Sequence, residues 1–257
     1  MKLSELFPHS FKSLIRELGL DKKRPVDSRP MWAKRLSSKS SFCRAVVATG
    51  LLTHRQMVHA ALRYRLGRSK DDAVIFWQID QLGVEHDGKL IWYGPDCHRL
   101  KHRNACWVWY LIKAHYQIPQ DTFSSTHVFF GEHLLRKGGE TVAIVEAEKT
   151  AVILSEHYPQ YTWLAAGGLF EIQPYKFIPL TRYKVILFPD TDPDAFAYTK
   201  WYEAAQTVMR SFFWPPNNPI RVSPILERNA TKDQKRRKID LADYLFEQPN
   251  PTTFQPK

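Results

Sequence analysis

From Ala73 to Tyr93 the chain changes to a period of two, through A-V-I-F-W-Q-I-D and K-L-I-W-Y. This spacing predicts a β-hairpin or part of a small antiparallel sheet, with Asp87-Gly88 as the turn. Upstream the period is helical. Leu6, Phe7, Phe11, Leu14, Ile15 and Leu18 form a stripe from Ser4 to Leu20, with Gly19 as a stop. A proline- and charge-rich link follows from Asp21 to Pro30, and helical patterns resume from Ser41 to about Leu52 and from Thr53 to Tyr64, with Thr53 as candidate N-cap. Trp107 to His115 is compatible with a helix, and Thr126 to Phe130 with a short strand.

After Gly138-Gly139 strand and helix patterns alternate. V-A-I-V, Y-T-W-L-A-A, K-V-I-L-F and I-R-V-S-P-I-L read as strands. Helices are expected from Glu148 to about Glu156, from Asp194 to about Phe213, and at L-A-D-Y-L-F. Such alternation implies a mostly parallel sheet covered by helices. Pro159, Pro174, Pro179, Pro215, Pro216 and Pro219 fall between these elements, where a missing amide donor costs least. The fold expected is α/β, with a smaller α+β domain and an N-terminal helical segment ahead of the parallel sheet. The corresponding divisions are a helical region 1–70, a small domain 71–137, an α/β domain 138–248 and a disordered tail 249–257.

Length and composition set limits on this picture. A chain of 257 residues, 44% hydrophobic and 13% aromatic, can bury one large or two modest cores. It has no run of eighteen apolar residues to span a membrane, and its first residues do not read as a secretion signal. Three unevenly spaced cysteines, Cys43, Cys97 and Cys106, fit a reducing cytoplasm.

The net charge of +11 changes the choice of partner. Basic surface neutralises phosphate backbones through counterion release, which makes nucleic acid the economical expectation. Basic residues concentrate at Lys22-Lys23-Arg24, from His98 to Arg103, and at Lys232, Lys235, Arg236, Arg237 and Lys238. The last group lies close in sequence to candidate catalytic residues and is the candidate nucleic-acid contact. Trp92, Tyr93, Trp107, Trp109 and Tyr110 could stack on unpaired bases. Core packing is the competing reading, since aromatics at strand spacing usually fill interiors.

The candidate chemistry rests on carboxylates. Glu146 follows one strand pattern, and Asp190 and Asp192 follow another. The carboxyl ends of strands in an open α/β sheet share one edge, so these residues are expected to converge. Three crowded carboxylates repel unless a hard divalent cation, typically Mg2+ with Mn2+ as an alternative, sits among them. Asp240 and Asp243 precede the last helix, where metal support and helix capping are both open to them. Cys97, His98, His102 and Cys106 do not have the spacing of a standard zinc finger, and structural zinc is not expected. No P-loop and no G-x-S-x-G element is present.

Glu146, the A-A-G-G-L run with Gly167 and Gly168, Asp190-Thr191-Asp192 and K-I-D-L-A-D-Y-L together resemble the Toprim fold. This is the metal-binding catalytic module of bacterial primases, topoisomerases and overcoming-lysogenization-type nucleases. The resemblance spans roughly 140–247 and is closest to primase-type domains. F-W-Q-I-D, G-K-L-I-W-Y-G-P and F-F-G-E-H-L-L resemble an uncharacterised bacterial family in which a small domain precedes such a module. Ala147 stands where Toprim glutamates are commonly followed by glycine, and Thr150 where replicative primases place an acidic residue.

The resemblance implies Mg2+-dependent nucleotidyl transfer on DNA, preferably single-stranded, in replication of a chromosome or mobile element, with a helicase or other replication protein as partner. Asp190, Asp192 and Glu146 would be metal ligands, with Glu146 alternatively a general base. Lys149 would neutralise a phosphate, and Asp240 and Asp243 would be outer contacts. A phosphodiester-hydrolysing nuclease and a degenerate module that only binds nucleic acid remain as alternatives.

Overall fold

Val74 to Ile79 is apolar at every position but one and is buried throughout, because helices cover both of its faces. This strand belongs to the first of two units in a computed structural model, residues Met1–Val128 and Phe129–Lys257. The structure describes residues 32–34, 36–115, 117–119, 126–136 and 140–247. The expected helix from Ser4 to Leu20, the link to Pro30 and the expected disordered tail lie outside the described residues.

The first unit is an antiparallel sheet in the order β1-β2-β3-β4-β5. Its strands are β1 (Trp32–Lys34), β2 (Gly67–Ser69), β3 (Val74–Ile79), β4 (Glu85–Ile91) and β5 (Cys106–Trp107). Helix α1 (Ser41–Ala48) is capped by Ser40, and α2 (His54–Arg63) by Thr53 in a reciprocal capping box with Gln56. Phe42 of α1 packs edge-on to Phe76, with ring centroids 5.5 Å apart. Helix α3 (Val108–His115) packs Val108, Trp109 and Ile112 with Ile75, Trp77, Ile79 and Leu90.

The hairpin forms, but its turn is not at Asp87-Gly88. The chain reverses at Asp80–Gly83, where the Asp80 carboxylate accepts the amides of Leu82 and Val84, both at 2.9 Å, and Gly83 has φ +81°. Asp87 and Gly88 lie within β4. Gly88 is there for a close approach, since a Cβ would stand 2.7 Å from Trp77 Cε3. The expected strand at Thr126–Phe130 reduces to one bridge between Phe130 and Ala165. Of the candidate stacking aromatics, Tyr93 and Trp109 are buried in the core, and Tyr110 is exposed.

The second unit is a parallel sheet flanked by helices. Its strands are β6 (Thr141–Val145), β7 (Thr162–Ala165), β8 (Lys184–Phe188) and β9 (Arg221–Val222), in the order β7-β6-β8-β9. Helix α4 (Glu148–His157) connects β6 to β7 and packs on both. A 3-10 segment, Pro174–Leu180, and α5 (Phe196–Met209) contribute Phe177, Leu180, Trp201, Ala205 and Val208 to a core with Val142, Ile144, Leu164, Val185 and Leu187. The strand expected across I-R-V-S-P-I-L stops at Val222, because Pro224 leads into a short helix α6 (Ile225–Asn229). The basic run is also helical, as α7 (Lys232–Arg237), started by a Thr231/Gln234 capping box. Helix α8 (Leu241–Phe246) closes the described chain.

Candidate functional site

The strand order locates a crevice before any side chain is considered. The chain leaves β6 toward β7 on one side and returns to β8 on the other, so the strand order reverses between β6 and β8, which stay paired to their carboxyl ends. Ligands in open α/β sheets bind at such a reversal point. Val145 is in register with Phe188, which puts Glu146 and Asp190 beside this crevice. The amino end of α4 starts there too, with Ala147 as an N-cap that offers no side-chain acceptor to the first-turn amides. Those amides give the crevice a partial positive charge.

Asp190 has the most perturbed carboxyl of the group. Burial and the nearby carboxylates of Glu146, Asp240 and Asp243 push it well above the ordinary range, and Lys149 only partly opposes them. Lys149 Nζ stands 3.1 Å from Asp240 Oδ2 and 3.3 Å from Asp243 Oδ1. Asp240 also accepts the Thr150 hydroxyl at 2.7 Å. Burial acts to raise Asp240, but Lys149, the Asp243 amide and Thr150 together hold it below its usual value. Asp243 is raised, by burial first and then by Asp240. The two aspartates also cap α8 reciprocally, each accepting the other's amide. Capping and membership of the acidic cluster are therefore one arrangement.

Asp192 is turned elsewhere. Its Oδ1 accepts the amides of Asp194 and Phe196, both at 3.0 Å, and its Oδ2 that of Ala197 at 2.8 Å. These bonds, with the charge of Lys238, overcome burial and hold Asp192 below its ordinary value. Asp192 thus organises the start of α5 while Asp190 faces the acidic cluster. The glycine loop is tied to the same edge, since Gly167, at φ +93°, donates its amide to the Glu146 carbonyl at 2.9 Å.

The donor set suits a hard divalent ion, because every candidate ligand is a carboxylate oxygen and Asp190 is left short of compensating charge. Among the described residues, however, no three His, Cys, Asp or Glu side chains are already gathered as a metal-holding group. Cys97 is buried in the turn after Gly94, and Cys106 is in β5.

The basic helix α7 is mostly engaged within the unit. Lys235 pairs with Glu227 at 2.7 Å, Arg237 with Glu247 at 2.7 Å and Asp233 at 3.0 Å, and Arg236 with Asp233 at 3.4 Å. Lys232 and Lys238 are exposed, and no ion pair joins them to a described residue. Two site features escaped the sequence reading, the Thr150–Asp240 bond and the capping duty of Asp192. A D-x-D followed by the opening of a helix carries a signal for the latter.

Among solved structures, the chain resembles the primase fragment of the bacteriophage T7 primase-helicase protein. The TM-score is 0.45 and the identity 16%, over 70% of each chain. It also resembles a chain of a bacteriophage T7 assembly of lagging-strand DNA polymerase with primase domains of two gp4 subunits. There the TM-score is 0.42 and the identity 16%, over 65% of this chain and 74% of that one. No curated protein matches the sequence. No described helix is long and apolar enough to cross a membrane. A family model described as a domain of unknown function matches residues 40–191, which take in the hairpin, Glu146 and Asp190, and the chain belongs to that family, DUF6371.

Proposed function

We propose that this chain is a divalent-metal-dependent nucleic-acid enzyme with a primase-like Toprim domain that carries out nucleotidyl or phosphoryl transfer on DNA. The observation that supports it is the raised carboxyl of Asp190, set against Glu146, Asp240 and Asp243 at the carboxyl edge of the sheet. Asp190 and Glu146, with Asp243, are the residues that would hold Mg2+ or Mn2+. The bound ion would supply charge neutralisation for a phosphate. Lys149 keeps Asp240 ionised and fixes the orientation of α8 against α4. The α4 amides add a second source of positive charge for a phosphate group. Lys232 and Lys238 are the cations of the basic run most available to a nucleic-acid backbone. A single-stranded template and a replication partner such as a helicase complete the proposal.

Labelled single-stranded DNA, incubated with Mg2+ or Mn2+ and with or without nucleoside triphosphates, tests the reading beside Asp190→Asn and Glu146→Gln. Extension that needs nucleotides and is lost in both variants supports synthesis. Shortened strands without added nucleotides support a nuclease. A second reading, a module that binds nucleic acid without turnover, is favoured by Asp192, whose carboxylate is committed to three amides. Binding unchanged in Asp190→Asn, with no metal-dependent product from the parent, would select it.

A further inference from the structure

The amino-terminal edge of the parallel sheet, at the other end of the strands from Glu146 and Asp190, carries a groove of about 380 Å3. That volume falls within the range of small-ligand sites. Its lining includes Thr141, Tyr161, Lys184, Ile186, Asn217 and Arg221. Strand register explains why they meet. Thr141 is opposite Lys184, Ile186 is opposite Arg221, and Ala143 is opposite both Trp163 and Ile186. Residues two apart on a strand share a face, so Thr141, Lys184, Ile186 and Arg221 project from one face, with Tyr161 reaching it two positions before Trp163.

The chemistry of the groove is specific. Lys184 and Arg221 are exposed, and neither side chain makes an ion pair or hydrogen bond with a described residue. One oxygen of the neighbouring Glu140 carboxylate accepts the Thr162 hydroxyl at 2.9 Å, which orients that carboxylate without cancelling its charge. Two cations with no ion-pair partner among the described residues therefore line one concavity. One wall is aromatic, because the Tyr161 ring stands edge-on to Trp163 at 5.8 Å. The opposite wall is pinned: Asn218 Nδ2 donates to the carbonyls of Tyr183 at 2.8 Å and Thr181 at 3.2 Å, and Trp214 donates to the Asn218 carbonyl at 2.6 Å. A preformed wall lowers the ordering cost of binding. Val185, Ile186 and Pro219 give the lining apolar surface for a base, beside the lysine, arginine and amide side chains that suit a phosphate and a sugar.

We propose that this groove binds a nucleoside phosphate, either free or as one unit of a nucleic-acid strand, with Lys184 and Arg221 on the phosphate and Tyr161 against the base. No metal is needed, so the site is separable from the carboxylate cluster.

The test uses the full chain in EDTA, with AMP, ATP and a labelled oligothymidylate as probes, followed by calorimetry or fluorescence anisotropy. Saturable binding is expected. It should weaken about tenfold or more in Lys184→Ala/Arg221→Ala, through loss of two charge-assisted contacts, and persist in the control Arg210→Ala. Tyr161→Ala should weaken AMP while leaving inorganic pyrophosphate binding in place. Binding of AMP or ATP identifies a free nucleotide, and binding of the oligonucleotide alone identifies a strand. Absence of binding by every probe, or binding undiminished in the folded double variant, overturns the proposal. Neither result bears on metal-dependent turnover at Asp190, which is measured separately.

Discussion

Lys149 Nζ lies 3.1 Å from Asp240 Oδ2, so a lysine in the first turn of α4 closes on the N-cap of α8. Both side chains are nearly buried, at 11% and 7% exposure. Removing the lysine strands a buried carboxylate, which typically costs about 3–5 kcal/mol. Lys149→Met should lower urea stability by that order, and adding Asp240→Asn should restore part of the loss. Strict additivity of the two variants would show that the pair is not coupled.

The two aspartates of the D-T-D run should respond in opposite directions. Asp192→Ala removes the acceptor of three amides at the start of α5 and should cost about 1–2 kcal/mol, as loss of a helix cap does. Asp190→Asn removes a carboxyl that its neighbours disfavour in the charged form, and should stabilise the metal-free protein. Because the folded pKa of Asp190 is raised, its parent carboxyl loses stability as pH rises through that value. The advantage of Asp190→Asn should therefore grow as pH rises above the unfolded aspartate value, about 3.9, and scanning calorimetry in EDTA from about pH 4 upward would show it. A constant offset would contradict the charge argument.

Asp80 provides a pH dependence of the other sign in the first unit. Burial alone would raise this carboxyl, but the His86 ring, at 3.0 Å, and the Val84 and Leu82 amides hold it below the ordinary aspartate value. A depressed pKa contributes stability above the unfolded value, about 3.9, and that contribution is lost as pH falls through the folded value. Unfolding of the first unit, followed by the backbone NMR signals of β3 and β4, should steepen below about pH 4. Asp80→Ala, which leaves two part-buried turn amides and the buried His86 without their acceptor, should cost about 1–3 kcal/mol at neutral pH and flatten that acid limb.

Two glycines of the hairpin should fail for different reasons. Gly88→Ala forces a Cβ to within 2.7 Å of Trp77 and 2.8 Å of Ile75 and should cost about 1–3 kcal/mol through overpacking. Gly83→Ala meets open space but holds φ at +81°, so its cost should be the left-handed strain alone, about 1–2 kcal/mol. A compensating Trp77→Phe should relieve the first variant and not the second, measured by chemical denaturation.

Elements defined by local periodicity were legible in the chain. The alternation after Glu140, the strand K-V-I-L-F, the helices after Glu146 and before Phe246, and the Thr53 cap are written in apolar spacing and in short-range capping chemistry, and the structure has them. The antiparallel sheet ahead of the parallel one was legible for the same reason. The hairpin turn was misread because D-G is a strong local turn signal, and nothing nearby in sequence shows that Trp77 needs the space above Gly88.

The carboxylates illustrate the division most sharply. Glu146 and Asp190 could be named from their positions after strands, because strand ends in an α/β sheet share an edge, and Asp240 and Asp243 from their place before a helix and the resemblance of K-I-D-L-A-D-Y-L to primase-type Toprim segments. Which aspartate faces the cluster could not be. Asp190 and Asp192 are two residues apart, and their division of labour depends on where α5 presents its free amides. The Lys149–Asp240 and Thr150–Asp240 contacts join segments far apart in sequence. The groove of Lys184 and Arg221 exists only through strand register. Spacing within one element constrains which side chains share a face; which faces meet is settled by long-range packing, and no local pattern encodes it.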